Sequence, residues 1–240
     1  MNLKLFAFLT FLVSVITVEI QAQPGPPQKK TPQKGTKAYD NTRLLAIYSE
    51  DFGSAKLYGF KDSLTGEIVI PAGYIAVEPF TENLAMVAIS KAGFINKVGD
   101  RVIPMTYDYA ESFSEGLAYV EKDNKSGFID KTGAIVIPLI YDHAGTFKEG
   151  LAWVKNGDKF GFINQKGEIV IPIEFNSCGS RFSDGLIWIN KDGKWGYMDK
   201  TGQTIIPFIY DDVVGFKDGK AAVKLNGENF FIDKKGTRIQ

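Results

Sequence analysis

A unit of about 34 residues recurs along this chain, and this regularity constrains the fold more than any other feature. Each copy reads as an aromatic residue after a glycine, a turn, an apolar run with a proline, Tyr-Asp, and then Phe-x-acid-Gly. Five copies are full and both ends carry partial copies, with the repeat glycines at Gly59, Gly93, Gly127, Gly161 and Gly196. A constant period of this length predicts stacked supersecondary units.

Each copy contains three short segments with strand character. In the third copy, the spacing of Asp130 and Gly133 is typical of a type I turn that joins two strands of a hairpin. A third strand, Leu151 to Val154, returns through Asn156-Gly157, which is a strong hairpin signal. Because proline lacks the amide proton of a sheet ladder, we expect the second strand to end at Pro71, Pro104, Pro138, Pro172 and Pro207.

Positions that stay constant among the copies indicate what every unit needs in order to fold. The residue after the repeat glycine is aromatic in all six copies, which predicts a packing role. Phe230 replaces the glycine in the last copy alone. Since a glycine in a strand often marks a bulge or the close approach of another chain segment, we interpret Phe230 as a capping change in a unit that has no further neighbour.

The segment Lys194 to Gly202, together with Ile205-Ile206-Pro207 and the downstream Phe216, Asp218 and Gly219, resembles the WG repeat family, also called KWG repeats. The resemblance covers roughly residues 39 to 240. It implies an exported bacterial all-β repeat protein that serves as a scaffold or interaction module, with no established set of catalytic residues. The tryptophan of the motif is present only at Trp195, and Tyr58, Ala92, Ser126, Phe160 and Asn229 take its place elsewhere.

Two all-β architectures are compatible with three-stranded repeats of this length. The chain starts with a lone third strand near Leu44 and ends with a lone hairpin, which could pair to close a six-bladed ring similar to a propeller. However, about 34 residues is short for a propeller blade of about 40 to 45 residues. We therefore predict an open, twisted, solenoid-like array of β-meanders, with the closed ring as the alternative.

The N-terminal region differs in composition from the repeats. Residues 1 to 22 have an early lysine, a short apolar core and an end at Ala22, which is typical of a cleaved secretory signal peptide. An uncleaved membrane anchor is the alternative, because Ile20 is unusual near a cleavage site. Residues 23 to 38 are rich in proline and lysine and predict an extended linker before a repeat domain at residues 39 to 240. We expect a periplasmic, cell-surface or secreted protein, with no transmembrane segment once the signal is removed.

The charge balance argues against a nucleic-acid partner, and the cysteine count excludes an intrachain disulfide. Residues 39 to 240 hold 23 basic and 27 acidic side chains, so nucleic acid is not an expected partner. Cys178 is the only cysteine, and an intrachain disulfide is therefore impossible. We interpret it as an inert small side chain.

The sequence offers few groups for catalysis or metal binding. His143 is the only histidine, and other residue types replace it in the other copies, so we predict no catalytic residues and no metal or other cofactor. A recurring acid after the tyrosine, at Asp108, Asp142 and Asp211, could hold calcium between units. The favoured interpretation is an acid that accepts a hydrogen bond from a turn amide.

An aromatic position in the third strand varies among the copies, in the order Met86, Tyr119, Trp153, Trp188 and Ala222. Aromatic side chains at one position of adjacent units would form a row suited to stacking on sugar rings or to holding a peptide. The favoured interpretation is that these are core residues in the middle of the array. The alternative is a binding row, with Tyr119, Trp153, Trp188 and Trp195 as the candidate binding residues.

Three functions remain open on these observations. The first is a non-enzymatic exported scaffold that binds protein, peptide or cell-envelope glycan. The second is a carboxylate-dependent glycan hydrolase, for which a unique pair of acids would be required. The third is a structural spacer without a ligand.

Overall fold

The computed structural model describes residues 43 to 239, all within the unit Tyr39–Gln240, and they form six antiparallel sheets. Sheet 1 contains β1 (Leu45–Phe52), β2 (Ala55–Asp62) and β3 (Ile68–Tyr74). Sheet 2 contains β4 (Ala76–Val77), β5 (Leu84–Ala88), β6 (Ala92–Asn96) and β7 (Arg101–Tyr107). Sheet 3 contains β8 (Tyr109–Ala110), β9 (Ala118–Lys122), β10 (Lys125–Ile129) and β11 (Ile135–Tyr141).

The other three sheets repeat this order of strands. Sheet 4 contains β12 (His143–Ala144), β13 (Leu151–Asn156), β14 (Lys159–Asn164) and β15 (Ile169–Phe175). Sheet 5 contains β16 (Ser177–Cys178), β17 (Leu186–Lys191), β18 (Lys194–Asp199) and β19 (Thr204–Tyr210). Sheet 6 contains β20 (Asp212–Val213), β21 (Lys220–Leu225), β22 (Glu228–Asp233) and β23 (Arg238–Ile239).

Each sheet combines parts of two sequence repeats. The third strand of one repeat pairs with the first strand of the next, as in the register of Trp153 with Phe162, and in sheets 2 to 6 a two-residue strand forms one edge, as β12 does in sheet 4. The predicted turns are present: the Gly133 amide donates to the Asp130 carbonyl, and Gly133 has a left-handed φ of 86°. The all-β repeat fold predicted from the sequence is thereby confirmed.

The prediction that proline ends the second strand is wrong. The strand β11 continues through Pro138 to Tyr141, and Ser126 pairs with Tyr141 while Phe128 pairs with Ile137. Three residues of β11 thus bulge opposite Gly127 alone, and proline lies in that bulge on an edge strand, where a missing amide proton costs no ladder bond. The same shift recurs in sheets 1, 2, 4 and 5.

This bulge explains the repeat glycines. A Cβ added at Gly161 would lie 2.6 Å from the carbonyl oxygen of Ile171, within the same sheet, so no neighbouring unit is involved. In sheet 6, Phe230 stands at this position, where it packs at the margin of the core between sheets 5 and 6 with Arg238 over its ring.

Side chains fill the spaces between successive sheets. Alternate residues of each strand point to the preceding and the following sheet, so that Val120 packs in the core shared with sheet 2 and Tyr119 in the core shared with sheet 4. Five such cores connect the six sheets. The aromatic residue after the repeat glycine lies in each of them and is at most 2% exposed in Phe60, Phe94, Phe128, Phe162 and Tyr197.

The outer faces of sheets 1 and 6 differ from the internal faces. Lys61 occupies the repeat position at which Ile95, Ile129, Ile163, Met198 and Ile232 are buried. Lys220 occupies the position of buried leucines such as Leu117, and its Nζ lies 5.7 Å from the ring centroid of Phe231. Polar caps of this kind terminate repeat arrays. No strand of sheet 6 pairs with β1 among the described residues, so the fold is the open array and not the closed ring.

The predictions for the signal peptide and the linker concern residues 1 to 38, which lie outside the described residues. Between residues 43 and 239, no helix has the length and apolar character needed to cross a membrane.

Candidate functional site

The predicted aromatic row falls between successive sheets and is only partly accessible. Tyr119 is 4% exposed, and its hydroxyl lies 2.8 Å from the Ser126 hydroxyl, so Tyr119 belongs to the interior. Trp153, Trp188 and Trp195 are half-buried at the margins of the next two cores. Of the four side chains, only the three tryptophans are partly exposed.

The tryptophans form two aromatic pairs in successive gaps between sheets. Trp153 lies 5.9 Å from Phe160 with the rings tilted by 51°, and Trp188 lies 5.3 Å from Trp195 in an edge-to-face arrangement. Because stacked sheets are about 10 Å apart, equivalent positions of the two pairs are separated by about that distance. We refer to Trp153, Phe160, Trp188 and Trp195 as the aromatic patch.

Glycines on the neighbouring chain segments make room for the two large indoles. A Cβ added at Gly145 would lie 2.1 Å from Nε1 of Trp153, and one at Gly179 would lie 3.0 Å from Nε1 of Trp188. The corresponding residue beside the buried Tyr119 is Glu111, and beside Ala222 it is Val214. The indoles are thus held in defined orientations, a property expected of a preorganised contact surface.

A lysine and an acid form an ion pair at the edge of three sheets. Lys125 Nζ lies 2.7 Å from Asp142, Lys194 Nζ lies 2.6 Å from Asp211, and Lys91 pairs with Asp108. The same acids accept turn amides, as Asp142 does from Gly157 at 2.6 Å. The favoured interpretation of these acids is thereby confirmed. The lysine ion pairs, followed by the amide bonds, lower the pKa of Asp108 and Asp142.

The fourth repeat departs from this pattern next to Trp153. Asn176 replaces the acid, and it accepts a hydrogen bond from the Asp192 amide at 3.0 Å. Lys159, which corresponds to Lys125 and Lys194, consequently has no ion-pair partner among residues 43 to 239. Lys155 also lacks one there, and its Nζ lies 5.6 Å from the ring centroid of Phe160.

The equivalent place in sheet 3 is acidic. Glu121 takes the position of Lys155 and accepts a bond from the Tyr119 hydroxyl at 3.2 Å, while Glu111 lies close to Glu78. Burial and then the charge of Glu78 raise the pKa of Glu111, and burial chiefly raises the pKa of Tyr119 to about 12. Adjacent gaps between sheets therefore carry opposite charge.

Groups suited to metal binding do not converge in the described part of the chain. No cluster of three or more His, Cys, Asp or Glu side chains that could hold a metal ion is present among residues 43 to 239. His143 is exposed on β12, directly across from Lys155. Cys178 is half-buried, and burial raises the pKa of its thiol to about 12.

Comparison with protein families identifies the repeat. A family model described as the WG containing repeat matches five successive segments, residues 58–90, 93–125, 127–160, 160–195 and 195–228. The chain belongs to the WG repeat family. No curated protein matches the sequence. The family assignment agrees with the motif at Trp195.

Solved structures resemble the WG repeats only distantly. A eukaryotic initiation factor is 11% identical with a TM-score of 0.46, and the match covers 85% of this chain and 66% of that one. Kluyveromyces lactis Hsv2 is 12% identical with a TM-score of 0.41, covering 66% and 60%. The hemopexin fold protein CP4 from cow pea is 16% identical with a TM-score of 0.23, covering 53% and 86%. The chain spans about three fifths of the Hsv2 structures that it matches.

The acids that precede the turn glycines connect successive WG repeats, a role that the sequence did not reveal. Glu115 has a left-handed φ of 55°, and its carboxylate accepts the amides of Glu149 at 2.6 Å and Gly150 at 2.9 Å in the next repeat. Asp184 accepts the Gly219 amide at 2.8 Å in the same way. The recurrence of the acid at one repeat position indicated a structural role, but its hydrogen-bond partner could not be identified from the sequence because it lies one repeat away.

Glu82 is the first of these acids along the chain, and its contacts lead us to expect a pH-dependent contribution to the stability of the fold. Its carboxylate accepts the Gly116 amide at 3.1 Å and pairs with Lys131 Nζ at 2.7 Å, and the Lys131 contact is the largest cause of its lowered pKa. A lowered folded-state pKa stabilises the fold above the unfolded-state pKa, and this contribution disappears as pH falls through the folded-state value.

We expect Glu82→Gln to lower the Tm at pH 7 by about 2 to 4 °C, corresponding to about 1 kcal/mol for a partly exposed ion pair. The difference from the unchanged protein should vanish in acid, because Glu82 is then protonated. Calorimetric melting between pH 7 and pH 3 measures both effects. Glu50→Gln, on an exposed strand end, is the control, and an equal loss there would contradict the role of Glu82.

Proposed function

We propose that this protein is an exported, non-enzymatic interaction scaffold that holds a partner against the aromatic patch. The observation that carries the proposal is the contrast between constant and variable positions of the repeat. Constant aromatic residues such as Phe128 lie in the cores, whereas the large variable ones, Trp153, Trp188 and Trp195, are half-exposed. Partly exposed tryptophans held in fixed orientations are typical of residues that dominate binding energy.

Unused hydrogen-bonding capacity at the patch supports the same function. Among residues 43 to 239, the only buried side-chain nitrogen or oxygen without a partner is Oγ1 of Thr81. The indole N–H groups of the three tryptophans have no acceptor there, and they are therefore accessible donors. A ligand could stack on the rings and also accept these hydrogen bonds.

The contacts of the repeated acids favour a scaffold over a glycan hydrolase. A hydrolase needs one carboxyl group as acid and a second as base or nucleophile, both facing the substrate. Here the recurring acids bind amides and lysines, as Asp142 and Glu115 do. Glu78 likewise accepts from the Ser112 amide at 2.7 Å and from its hydroxyl. Export rests on the signal-like composition of residues 1 to 22.

The three tryptophans of the chain all lie in the patch, which makes their fluorescence a specific reporter of binding. We expect the protein to retain a partner from cell-envelope extracts, and the double variant Trp153→Ala, Trp188→Ala to lose more than about 90% of that retention, since each such residue contributes about 2 kcal/mol at a binding hot spot. Retention of the Phe231→Ala variant, which removes an exposed aromatic elsewhere, should be unchanged.

Folding of each variant is verified by its circular dichroism spectrum and Tm. If the folded double variant retains the partner as well as the unchanged protein does, the aromatic patch is not the binding surface. If no component of an envelope extract is retained at all, the spacer function would replace the scaffold.

A further inference from the structure

We propose that the surface around Trp153 binds an acidic oligosaccharide, with the sugar carboxylate held by Lys155 and Lys159 and the sugar ring stacked on the Trp153 and Phe160 pair. This inference rests on the proposed scaffold function and specifies the ligand of one half of the aromatic patch. We call Trp153, Phe160, Lys155 and Lys159 the Trp153 cluster.

The charge of the cluster indicates an anionic ligand. In three other repeats the corresponding lysine forms an ion pair with an acid that follows a neighbouring strand. Lys125 Nζ, for example, lies 2.7 Å from Asp142. In the fourth repeat the acid is Asn176, so the lysine charge remains available. Lys155, in sheet 4, adds a second charge where sheet 3 has Glu121. Two lysines without carboxylate partners among residues 43 to 239, beside a half-buried aromatic pair, form a complement to a carboxylate.

The nearby acids do not neutralise these lysines. Asp142 is engaged by Lys125 and by the Gly157 amide at 2.6 Å. Glu174 pairs with Lys191 at 2.9 Å. Asp158 lies in the exposed turn between β13 and β14 and makes no ion pair within the described residues. His143, on the strand next to Lys155, adds a further basic group to the same surface.

The sheet edges favour a sugar over an extended peptide. A peptide that adds to a sheet needs a free edge with unbroken amide and carbonyl groups. The outer edge of sheet 4 is β15, which contains Pro172 within a bulge, and the inner edge is β12, which has two residues. Both edges are therefore poor templates for strand addition. Recognition has to rely on side chains, and a uronic acid presents an apolar ring face and a carboxylate in one residue.

The aromatic geometry is suitable for ring stacking. Trp153 and Phe160 are tilted by 51° at a separation of 5.9 Å, so their ring planes face different directions rather than forming one flat stack. The second aromatic pair, Trp188 and Trp195, lies one sheet further along and can contact the next part of an extended chain. An oligosaccharide can thus run across successive sheets.

The test uses the repeat protein, residues 1 to 240 as expressed and purified, titrated with oligogalacturonate at low salt and followed by tryptophan fluorescence and calorimetry. We expect saturable binding that weakens with added salt. Neutral galacto-oligosaccharide of the same length should bind at least about tenfold more weakly, because it lacks the charge-assisted bonds. A parallel titration with poly-glutamate tests whether an acidic peptide binds instead.

Two substitutions separate the proposed site from general electrostatics. Asn176→Asp should give Lys159 the ion pair that the corresponding lysines of other repeats make. It should therefore weaken oligogalacturonate binding about tenfold without lowering the Tm. Lys155→Gln should weaken it by a similar factor. Lys224→Gln removes the lysine at the corresponding position of β21, where Ala222 stands in place of tryptophan, and should leave binding unchanged.

Each outcome has a clear consequence. Equal weakening by Lys224→Gln, tighter binding of poly-glutamate than of oligogalacturonate, or equal binding of the neutral sugar would overturn the proposal. The scaffold function would survive any of these results, provided that retention from envelope extracts still depends on Trp153 and Trp188. Conversely, oligogalacturonate binding by a double variant lacking both tryptophans would show that stacking is not involved.

Discussion

Replacing Gly161 by alanine is expected to destabilise the protein by about 3 kcal/mol or more, which corresponds to a fall in Tm of about 6 to 12 °C for a domain of this size. The new Cβ would lie 2.6 Å from the Ile171 carbonyl oxygen, 2.7 Å from the Pro172 carbonyl oxygen and 2.8 Å from Cα of Ile173. All three are backbone atoms, so no flexible side chain can move aside. Sheet 4 would have to give up the pairing of β14 with the β15 bulge.

The control for this change is Gly73→Ala, in the same protein and also in an edge strand. A Cβ at Gly73 would have its nearest neighbour, the Pro71 carbonyl oxygen, at 4.0 Å. We expect a change in Tm of less than about 2 °C, since an unstrained surface substitution has little effect. Chemical denaturation of both variants provides the free energies of unfolding. Equal effects of the two substitutions would contradict the role assigned to the bulge.

The second large effect is expected for Phe128→Ala. Phe128 is 0% exposed in the core between sheets 3 and 4, and its ring lies 4.7 Å from that of Phe147. Removing a buried phenylalanine leaves a cavity and costs about 3 to 5 kcal/mol, so the Tm should fall by about 6 to 20 °C. The Phe147 ring would lose its aromatic neighbour as well.

The chain contains a matched control at the same repeat position. Phe231 is 47% exposed because no sheet follows sheet 6 in the described residues, and Lys220 lies over its ring. Phe231→Ala should therefore cost less than about 1 kcal/mol. Melting curves of Phe128→Ala and Phe231→Ala measure the effect of losing the same residue at the same repeat position, once under a covering sheet and once without one. A loss at Phe231 as large as that at Phe128 would mean that the last face is covered in solution.

The turns of the fold could be predicted from the sequence because their interactions are local. The Asp130 side chain accepts the amides of Thr132 at 2.8 Å and Ala134 at 3.0 Å, all within five residues. The role of Gly133 follows from the same short segment. The three main strands of each repeat were also located, although not their ends at proline, since alternating apolar residues and turn signals act over similar distances.

Two features could not be predicted because their partners are distant in the chain. The glycine requirement at Gly161 comes from Pro172, which reaches it only once β14 and β15 have paired in one register. Glu115 binds amides 34 and 35 residues further along, which requires two repeats to be stacked.

The binding residues were predicted in part. The comparison of repeats found the position of Trp153 and Trp188, but it could not show that Tyr119 is buried with its hydroxyl on Ser126. Nor did it identify Lys155 and Lys159. That these two lysines have no ion-pair partner in the described part of the chain is evident only when they are compared with the ion pairs that the corresponding lysines of other repeats make. Exposure and charge pairing are properties of the packed array.

The sequence alone indicated an all-β array of WG repeats, because the period of about 34 residues is combined with hairpin turn signals and short apolar segments of strand length. Whether the array is open or closed was decided only by the tertiary structure. Lys61 and Lys220 occupy positions that face a neighbour in every internal repeat, and a closed ring would bring these two like charges together in an apolar core. The cost of burying unpaired charges keeps the two ends apart.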